Sequence, residues 1–128
     1  MNNYGYQQYK QQSVNTMTSG ELLLLLFDES AKRLTKAEMS LKNSDLATFE
    51  ASMDRVSEII RYLDTTLDKT YSISREISRM YEYFQFQVAR IKAGRNVELI
   101  HELRSMLMDL RNTFKEADRL SQVDLVKN

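Results

Sequence analysis

The apolar residues of this chain recur at alternating intervals of three and four, and one such series dominates its middle. It consists of Leu46, Phe49, Met53, Val56, Ile60, Leu63 and Leu67. Because an α-helix turns once in about 3.6 residues, all of these side chains fall on one face of a single helix. A helix with such a face needs neighbours that cover it, so the series predicts a helix packed within a larger α-helical assembly.

Three further stretches carry apolar series with helical spacing. They are Leu23, Leu26, Phe27, Ser30, Leu34, Ala37 and Leu41; then Ile77, Tyr81, Phe84, Val88 and Ile91; and finally Ile100, Leu103, Leu107, Leu110, Phe114 and Ala117. The chain contains no proline and only three glycines, so few residues would interrupt a helix. The sequence therefore predicts an all-α fold built from four long helices.

Polar residues indicate where the first two helices begin. Thr18, with a glutamate three residues later, forms a capping-box pattern that predicts the start of the first helix, which should end near Asn43. Ser44 or Asp45 can cap the second helix, which should extend to about Asp68.

The remaining boundaries follow from the same rules. Residues 69–71 are expected to form a connector, after which Ser72 or Ser74 can cap the third helix. Gly94 is expected to end that helix by taking the left-handed conformation. Asn96 can cap the last helix.

The short connections decide how the helices pack. Connections of about two to five residues place sequential helices side by side and antiparallel. We therefore predict an up-down-up-down four-helix bundle over residues 18–120, followed by a short polar tail at 121–128.

Residues 1–17 differ in composition from the predicted bundle. They hold several Asn and Gln, no acidic residue, and three tyrosines within six positions. Tyrosine rings can cover an apolar surface while their hydroxyls stay in water. We expect this segment to be flexible and to pack on the bundle as a removable cover, with Tyr4, Tyr6, Tyr9 and Val14 on the apolar surface. Direct contact between these tyrosines and a bound partner is the alternative.

Charge and apolar content argue against several classes of function. The 18 basic residues are balanced by 18 acidic ones, so the excess of Lys and Arg typical of nucleic-acid binding is missing. The longest apolar run, residues 22–27, is far shorter than a membrane span. The first residues lack the features of a signal peptide, and no cysteine is present. We predict a cytoplasmic protein with no nucleic-acid partner and no membrane insertion.

The sequence lacks the residues that catalysis or cofactor binding would require. Its one histidine, His101, forms a single Glu-x-x-His pair with Glu98, whereas a di-iron bundle needs two such pairs and further glutamates. Three scattered glycines do not make a phosphate loop, and no strained serine turn accompanies the histidine. We predict that the protein is not an enzyme and binds no cofactor or metal.

Additional apolar residues lie beside the four series. Leu22 and Leu25 flank the first series, Ile59 and Tyr62 flank the second, and Tyr83 and Phe86 flank the third. Large exposed apolar patches usually mark a surface that binds a partner. We predict that these six residues bind a protein partner, together with Tyr9 and Val14. The alternative for the two central helices is a core stripe wider than the series.

Four short patterns also occur in a characteristic order. They are Tyr9 with Gln11-Gln12-Ser13-Val14-Asn15-Thr16 and then Leu22 and Leu26-Phe27-Asp28; Ile59-Ile60, Leu63 and Leu67-Asp68; Met80-Tyr81 and Tyr83; and Leu107, Leu110-Arg111, Phe114 and Ala117. Together they resemble the FliS family of flagellar secretion chaperones over residues 9–117. The chain departs from the family at turn and packing positions, with Ser19 where a proline is usual and Phe114 where tryptophan is common.

The resemblance implies a function as well as a fold. FliS proteins are antiparallel helical bundles whose N-terminal segment lies over a hydrophobic surface. They bind the disordered C-terminal region of flagellin, prevent premature polymerisation in the cytoplasm, and deliver it to the flagellar type III export apparatus. On this basis we expect flagellin as partner and the export gate as the destination of the complex. We also expect that the free protein can form a homodimer. A helical adaptor for another secreted or regulatory protein is the alternative.

Overall fold

A computed structural model describes the backbone of residues 17–127 and the side chains of residues 17–120. Within that range the chain forms four helices and no strand: α1 (Ser19–Lys42), α2 (Leu46–Thr65), α3 (Ser74–Gly94) and α4 (Val97–Lys127). The predicted all-α fold is confirmed.

Polar contacts between α2 and α3 show that these helices are antiparallel. Near the start of α3, Ser78 Oγ donates to Asp64 Oδ1 at 2.8 Å, close to the end of α2. Near the end of α3, Lys92 Nζ donates to Asp54 Oδ1 at 2.5 Å, in the first half of α2. The two helices therefore run in opposite directions along their whole contact.

The outer pair, α1 and α4, is antiparallel as well. Asp28 in the first half of α1 pairs with Arg111 near the middle of α4, and Glu38 near the end of α1 contacts His101 near the start of α4. The helices pack in a ring in which α1 contacts α2 and α4, and α3 contacts the same two helices. This is the predicted up-down-up-down bundle.

The predicted apolar series meet along the axis of the bundle and form its core. All five members of the third series are buried, and so are Phe49, Met53, Val56, Ile60 and Leu63 of the second. Two members of the four series are exposed: Leu46, the first residue of α2, keeps 40% of its surface in water, and Ala117 of the fourth series is also exposed. Periodicity thus predicted most of the core, but not the exposure of Leu46 and Ala117.

Three of the predicted caps are present. The Thr18 hydroxyl and the Asp45 carboxylate each accept a hydrogen bond from the backbone N–H three residues later, both at 3.1 Å. The Asn96 side chain accepts from the N–H groups two and three residues later, at 2.9 and 3.3 Å. These bonds satisfy N–H groups that the first turn of a helix leaves without partners.

The connection between α2 and α3 is longer than predicted and spans residues 66–73. The Asp68 carboxylate accepts a hydrogen bond from the backbone N–H of Thr70 at 3.0 Å, which forms a turn where we predict the end of the helix. No serine side chain caps α3, whose N-cap position is taken by Ile73. The predicted Ser72 or Ser74 cap is therefore wrong.

The ends of α3 and α4 also differ from the predictions. Gly94 is the last residue of α3, and the left-handed conformation falls on Arg95, with φ of 53°. The predicted role of Gly94 is wrong because the chain turns one residue later, immediately before the Asn96 cap. Helix α4 continues to Lys127, so segment 121–128, which we predict as a polar tail, is largely helical.

Candidate partner-binding site

An apolar cavity opens at one end of the bundle, where α1 begins, α2 ends and α3 begins. Its volume is about 440 Å³. The apolar and aromatic residues that line it are Leu22, Leu23 and Leu26 of α1; Tyr62 and Leu63 of α2; Leu67, Tyr71 and Ile73 of the connection; Ile77 and Tyr81 of α3; and Phe114 of α4. A cavity of this size and lining suits apolar side chains of a bound partner.

The rim of the cavity is unusually exposed for such apolar residues. Tyr62, Tyr71 and Ile73 keep 48%, 66% and 61% of their surface in water. Deeper in the cavity, Leu63 and Tyr81 are almost completely buried. The site therefore combines a fixed floor, made by the core, with a rim that a partner would cover.

Local hydrogen bonds hold the connection that carries two of the rim residues. After the turn at Asp68, the backbone N–H of Ser74 donates to the Tyr71 carbonyl at 3.1 Å. The Lys69 ammonium group lies 3.4 Å from Asp64 Oδ1, which ties the connection back to α2. These bonds place Tyr71 and Ile73 at the mouth of the cavity although neither belongs to a helix.

An ion pair and an aromatic contact connect α1 and α4. Arg111 donates to Asp28 through Nε at 2.9 Å and through Nη2 at 3.3 Å. The rings of Phe27 and Phe114 lie beside this pair, with centroids 5.7 Å apart. Both contacts join the residues that carry the first and last of the four sequence patterns.

The first turn of α1 passes close to the last part of α4. A Cβ atom added at Gly20 would lie 2.7 Å from Cγ of Asp118, well inside van der Waals contact. A larger residue at this position would therefore require the Asp118 side chain to move.

Tyr83 and Phe86 form a separate aromatic patch on α3. Their rings are 6.5 Å apart, and the Arg90 guanidinium lies 5.8 Å from the Phe86 ring centroid. Gln85 bonds to α2, and Tyr83 lies two residues away, about 200° around the helix, so the patch faces away from α2. The patch does not line the cavity.

The structure brings together only part of the predicted partner site. Leu22 and Tyr62 both line the cavity, whereas Leu25 is half-buried and does not. Ile59 is only 2% exposed, so its assignment to a partner surface rather than the core is wrong: α2 packs against two helices and buries a stripe wider than the series. Tyr4, Tyr6, Tyr9 and Val14 lie outside the described residues.

Sequence reasoning missed Tyr71 and Ile73. Both lie in an irregular connection, where helical periodicity gives no information. Local composition could have indicated them, because these two large apolar residues occur among Lys, Thr and Ser in the connection.

His101 takes part in a charged cluster rather than a metal site. Its Nε2 contacts Glu38, not Glu98, and Lys42 also pairs with Glu38 at 3.2 Å. The hydrogen bond from Lys42, with a further one from His101, lowers the pKa of Glu38. No group of three or more potential metal-ligating side chains comes together among the described residues.

Comparison with known proteins identifies the family. The model of the family "Flagellar protein FliS" matches residues 1–121. The chain belongs to the FliS family. The flagellar secretion chaperone FliS of Bacillus subtilis (strain 168) is 27% identical over 119 residues, which cover 93% of this chain and 90% of that protein.

FliS membership supports a role in flagellum biogenesis as an export chaperone. FliS is a chaperone family rather than an enzyme family, which fits the prediction of a non-enzyme. A flagellar secretion chaperone implies a flagellar protein as partner, and the exposed apolar rim offers a surface for one. Within the described part of the chain, none of the helices is both long and apolar enough to cross a membrane.

Proposed function

We propose that this protein is a cytoplasmic chaperone that binds the disordered C-terminal region of flagellin and keeps it from polymerising before export. The observation that carries the proposal is the apolar cavity with its exposed rim of Tyr62, Tyr71 and Ile73 in a member of the FliS family. A soluble monomer has no structural need to keep such residues in water, whereas a chaperone must keep them accessible.

The geometry suits a segment that becomes ordered as it binds. An amphipathic helix can dock one apolar face in a groove through anchors spaced three or four residues apart. The cavity would receive such an anchor, and the patch of Tyr83 and Phe86 provides a second contact on another face of the bundle. A client that reaches both must extend around the bundle rather than sit in one pocket.

The N-terminal segment is proposed to cover the cavity before flagellin arrives. Ser19 and Gly20 line the cavity, so the chain that precedes α1 reaches the bundle at the edge of the site. Tyr4, Tyr6, Tyr9 and Val14 would then occupy part of the apolar surface. Whatever free energy holds this cover in place is subtracted from the apparent affinity for the client.

The proposal also covers the delivery of flagellin to the export apparatus and the self-association of the free protein. The complex with flagellin is the form that reaches the flagellar export gate, where the client is handed over. In the free protein the exposed aromatic residues favour a homodimer, which client binding would dissociate. Light scattering over a range of protein concentrations, with and without client, measures that equilibrium.

Calorimetric titration of the full chain with a peptide from the cognate flagellin tests the binding. With roughly the last 40 residues as the peptide, coupled folding and binding should bury on the order of 1,000–3,000 Å² and give a large negative heat-capacity change. No detectable heat at tens of micromolar would contradict the proposal.

Variants of the rim locate the site within the same experiment. Tyr71→Ala and Ile73→Ala should each weaken binding by about 1 kcal/mol or more, because both side chains become covered in the complex. Met39→Ala is the matched control: Met39 is 57% exposed on α1 but does not line the cavity. Equal losses for all three variants would show that the cavity is not the binding site.

A further inference from the structure

A buried hydroxyl at the cavity has no hydrogen-bond partner. Tyr81 lines the cavity and is 1% exposed. Among the residues whose side chains the structure describes, its Oη is the one buried side-chain polar atom without a hydrogen bond. Buried polar groups are almost always paired, and an unpaired one costs stability. The hydroxyl therefore points to a hydrogen-bond partner that the residues described by the structure do not provide.

Three other polar side chains that line the cavity form hydrogen bonds within the chain. The Thr66 hydroxyl donates to the Tyr62 carbonyl at 2.9 Å, and the Ser74 hydroxyl donates to the Lys69 carbonyl at 3.5 Å. The Asp68 carboxylate accepts from the Thr70 hydroxyl at 2.7 Å. Tyr81 differs from these three because its hydroxyl is buried and unpaired, and it differs from Tyr62 and Tyr71, whose side chains are exposed to water.

The surroundings of Tyr81 define the chemistry of its missing partner. Burial, with a smaller contribution from the negative charge of Asp64, raises the pKa of Tyr81 above its ordinary value, so the hydroxyl stays protonated and donates. The same Asp64 carboxylate, which accepts from Ser78 at 2.8 Å, would repel a second carboxylate brought close to it. The best partner is therefore a neutral oxygen.

We propose that Tyr81 is a specificity-determining residue of the client site, whose hydroxyl donates a hydrogen bond to a neutral oxygen of the bound segment. That oxygen is a main-chain carbonyl or the side-chain amide of Asn or Gln, and it sits next to an aliphatic side chain that fills the apolar cavity. This inference rests on the function proposed above. It requires the hydroxyl to lower the stability of the free protein and to favour the complex, two effects of opposite sign.

Tyr81→Phe tests this assignment because it removes one oxygen and keeps the ring. The full-length variant and the unmodified protein are titrated with the same flagellin peptide, and their thermal unfolding is followed by circular dichroism. We expect the affinity to fall roughly three- to tenfold, the usual effect of losing one net hydrogen bond. The unfolding midpoint should stay the same or rise, because an unpaired buried hydroxyl has been removed.

Tyr62→Phe is the comparison, since it removes a hydroxyl from a 48% exposed side chain of the same cavity and should cause a smaller loss of affinity. Unchanged affinity for Tyr81→Phe, a lowered unfolding midpoint, or an equal loss in both variants would each overturn the inference. If the unmodified protein fails to bind the peptide, it is the proposed function that is wrong; if it binds and Tyr81→Phe binds equally well, only the role of Tyr81 is wrong.

Discussion

Asp28 of α1 and Arg111 of α4 form a two-pronged ion pair, with Nε–Oδ1 and Nη2–Oδ2 distances of 2.9 and 3.3 Å. The residues are 83 positions apart in the chain. Each belongs to one of the short patterns that resemble FliS, one near the beginning of the chain and one near its end. The sequence resemblance to FliS therefore includes both partners of one ion pair, which joins the first and last helices of the bundle near the cavity.

Replacing Arg111 by Met should destabilise the bundle by about 1 kcal/mol. Methionine keeps much of the aliphatic stem but removes both hydrogen bonds to Asp28, whose side chain is 37% exposed and so is partly rehydrated. Denaturant unfolding measures the change. Arg119→Met is the control because Arg119 pairs with Glu116 within the same helix, and no measurable change is expected. Equal stability of both variants would mean that the pair contributes nothing.

Tyr62→Ala and Leu63→Ala should separate binding from stability at two adjacent positions. Leu63 is 1% exposed, and its truncation should cost about 2–5 kcal/mol of folding free energy. Tyr62 is 48% exposed, so its truncation should cost far less in folding but weaken the flagellin complex by about 1 kcal/mol or more. Chemical denaturation and calorimetry of both variants provide the comparison. A Tyr62→Ala protein as unstable as Leu63→Ala would place Tyr62 in the core.

Ile59→Ala should behave as a core truncation. The side chain is 2% exposed in the interior of α2, and removing it should cost about 2–5 kcal/mol. Denaturant unfolding is again the measurement, with Phe86→Ala as the comparison: Phe86 is larger but 58% exposed. Similar losses of stability in the two variants would contradict the separation of core and patch that the structure shows.

The Asp45 cap should make stability depend on pH in acid. Hydrogen bonds from the Thr48 hydroxyl and backbone N–H lower the pKa of Asp45, so the folded state favours the carboxylate. Its contribution is complete above the ordinary aspartate pKa, about 3.9, and is lost as the pH falls through the lowered folded-state value.

Two variants test this assignment by thermal unfolding across the acid range. Asp45→Ala should lower the unfolding midpoint at neutral pH, and the difference from the unmodified protein should shrink in acid. Asp45→Asn keeps a capping oxygen but does not titrate, so it should remain close to the unmodified protein at neutral pH. A difference between Asp45→Ala and the unmodified protein that stays constant with pH would exclude a role for the carboxylate charge.

Deletion of residues 1–15 distinguishes a removable cover from a docking element. If the segment covers the cavity, the shortened protein should self-associate more readily and bind the flagellin peptide at least as tightly. Light scattering and calorimetry report these two properties, and circular dichroism confirms that the bundle is folded. A folded but non-binding protein would assign the segment to the docking surface.

The sequence predicted the bundle well because helical periodicity and capping are local properties. The Thr18, Asp45 and Asn96 caps and the buried series on α3 follow from residues within a few positions of each other. The burial of Ile59 does not, because it depends on the angle at which α1 and α3 pack against α2.

The candidate site was harder to predict than the fold. Tyr62 could be found because it lies beside a clear helical series, but Tyr71 and Ile73 reach the same cavity through a connection without periodicity. Tyr83 and Phe86 resemble Tyr62 in sequence yet occupy another face, which only the contacts of α3 with α2 reveal. A site formed by several elements depends on their arrangement in space, which the spacing of residues does not encode.

Residues 68–73, between α2 and α3, carry two of the exposed rim residues, and none of their side chains is buried. Substitutions there can reshape the entrance to the cavity without disturbing helix packing. If the cavity binds flagellin as proposed, changes in this stretch can alter client preference while the helical scaffold is retained. Exchanging the segment between relatives would be the smallest graft expected to transfer client preference.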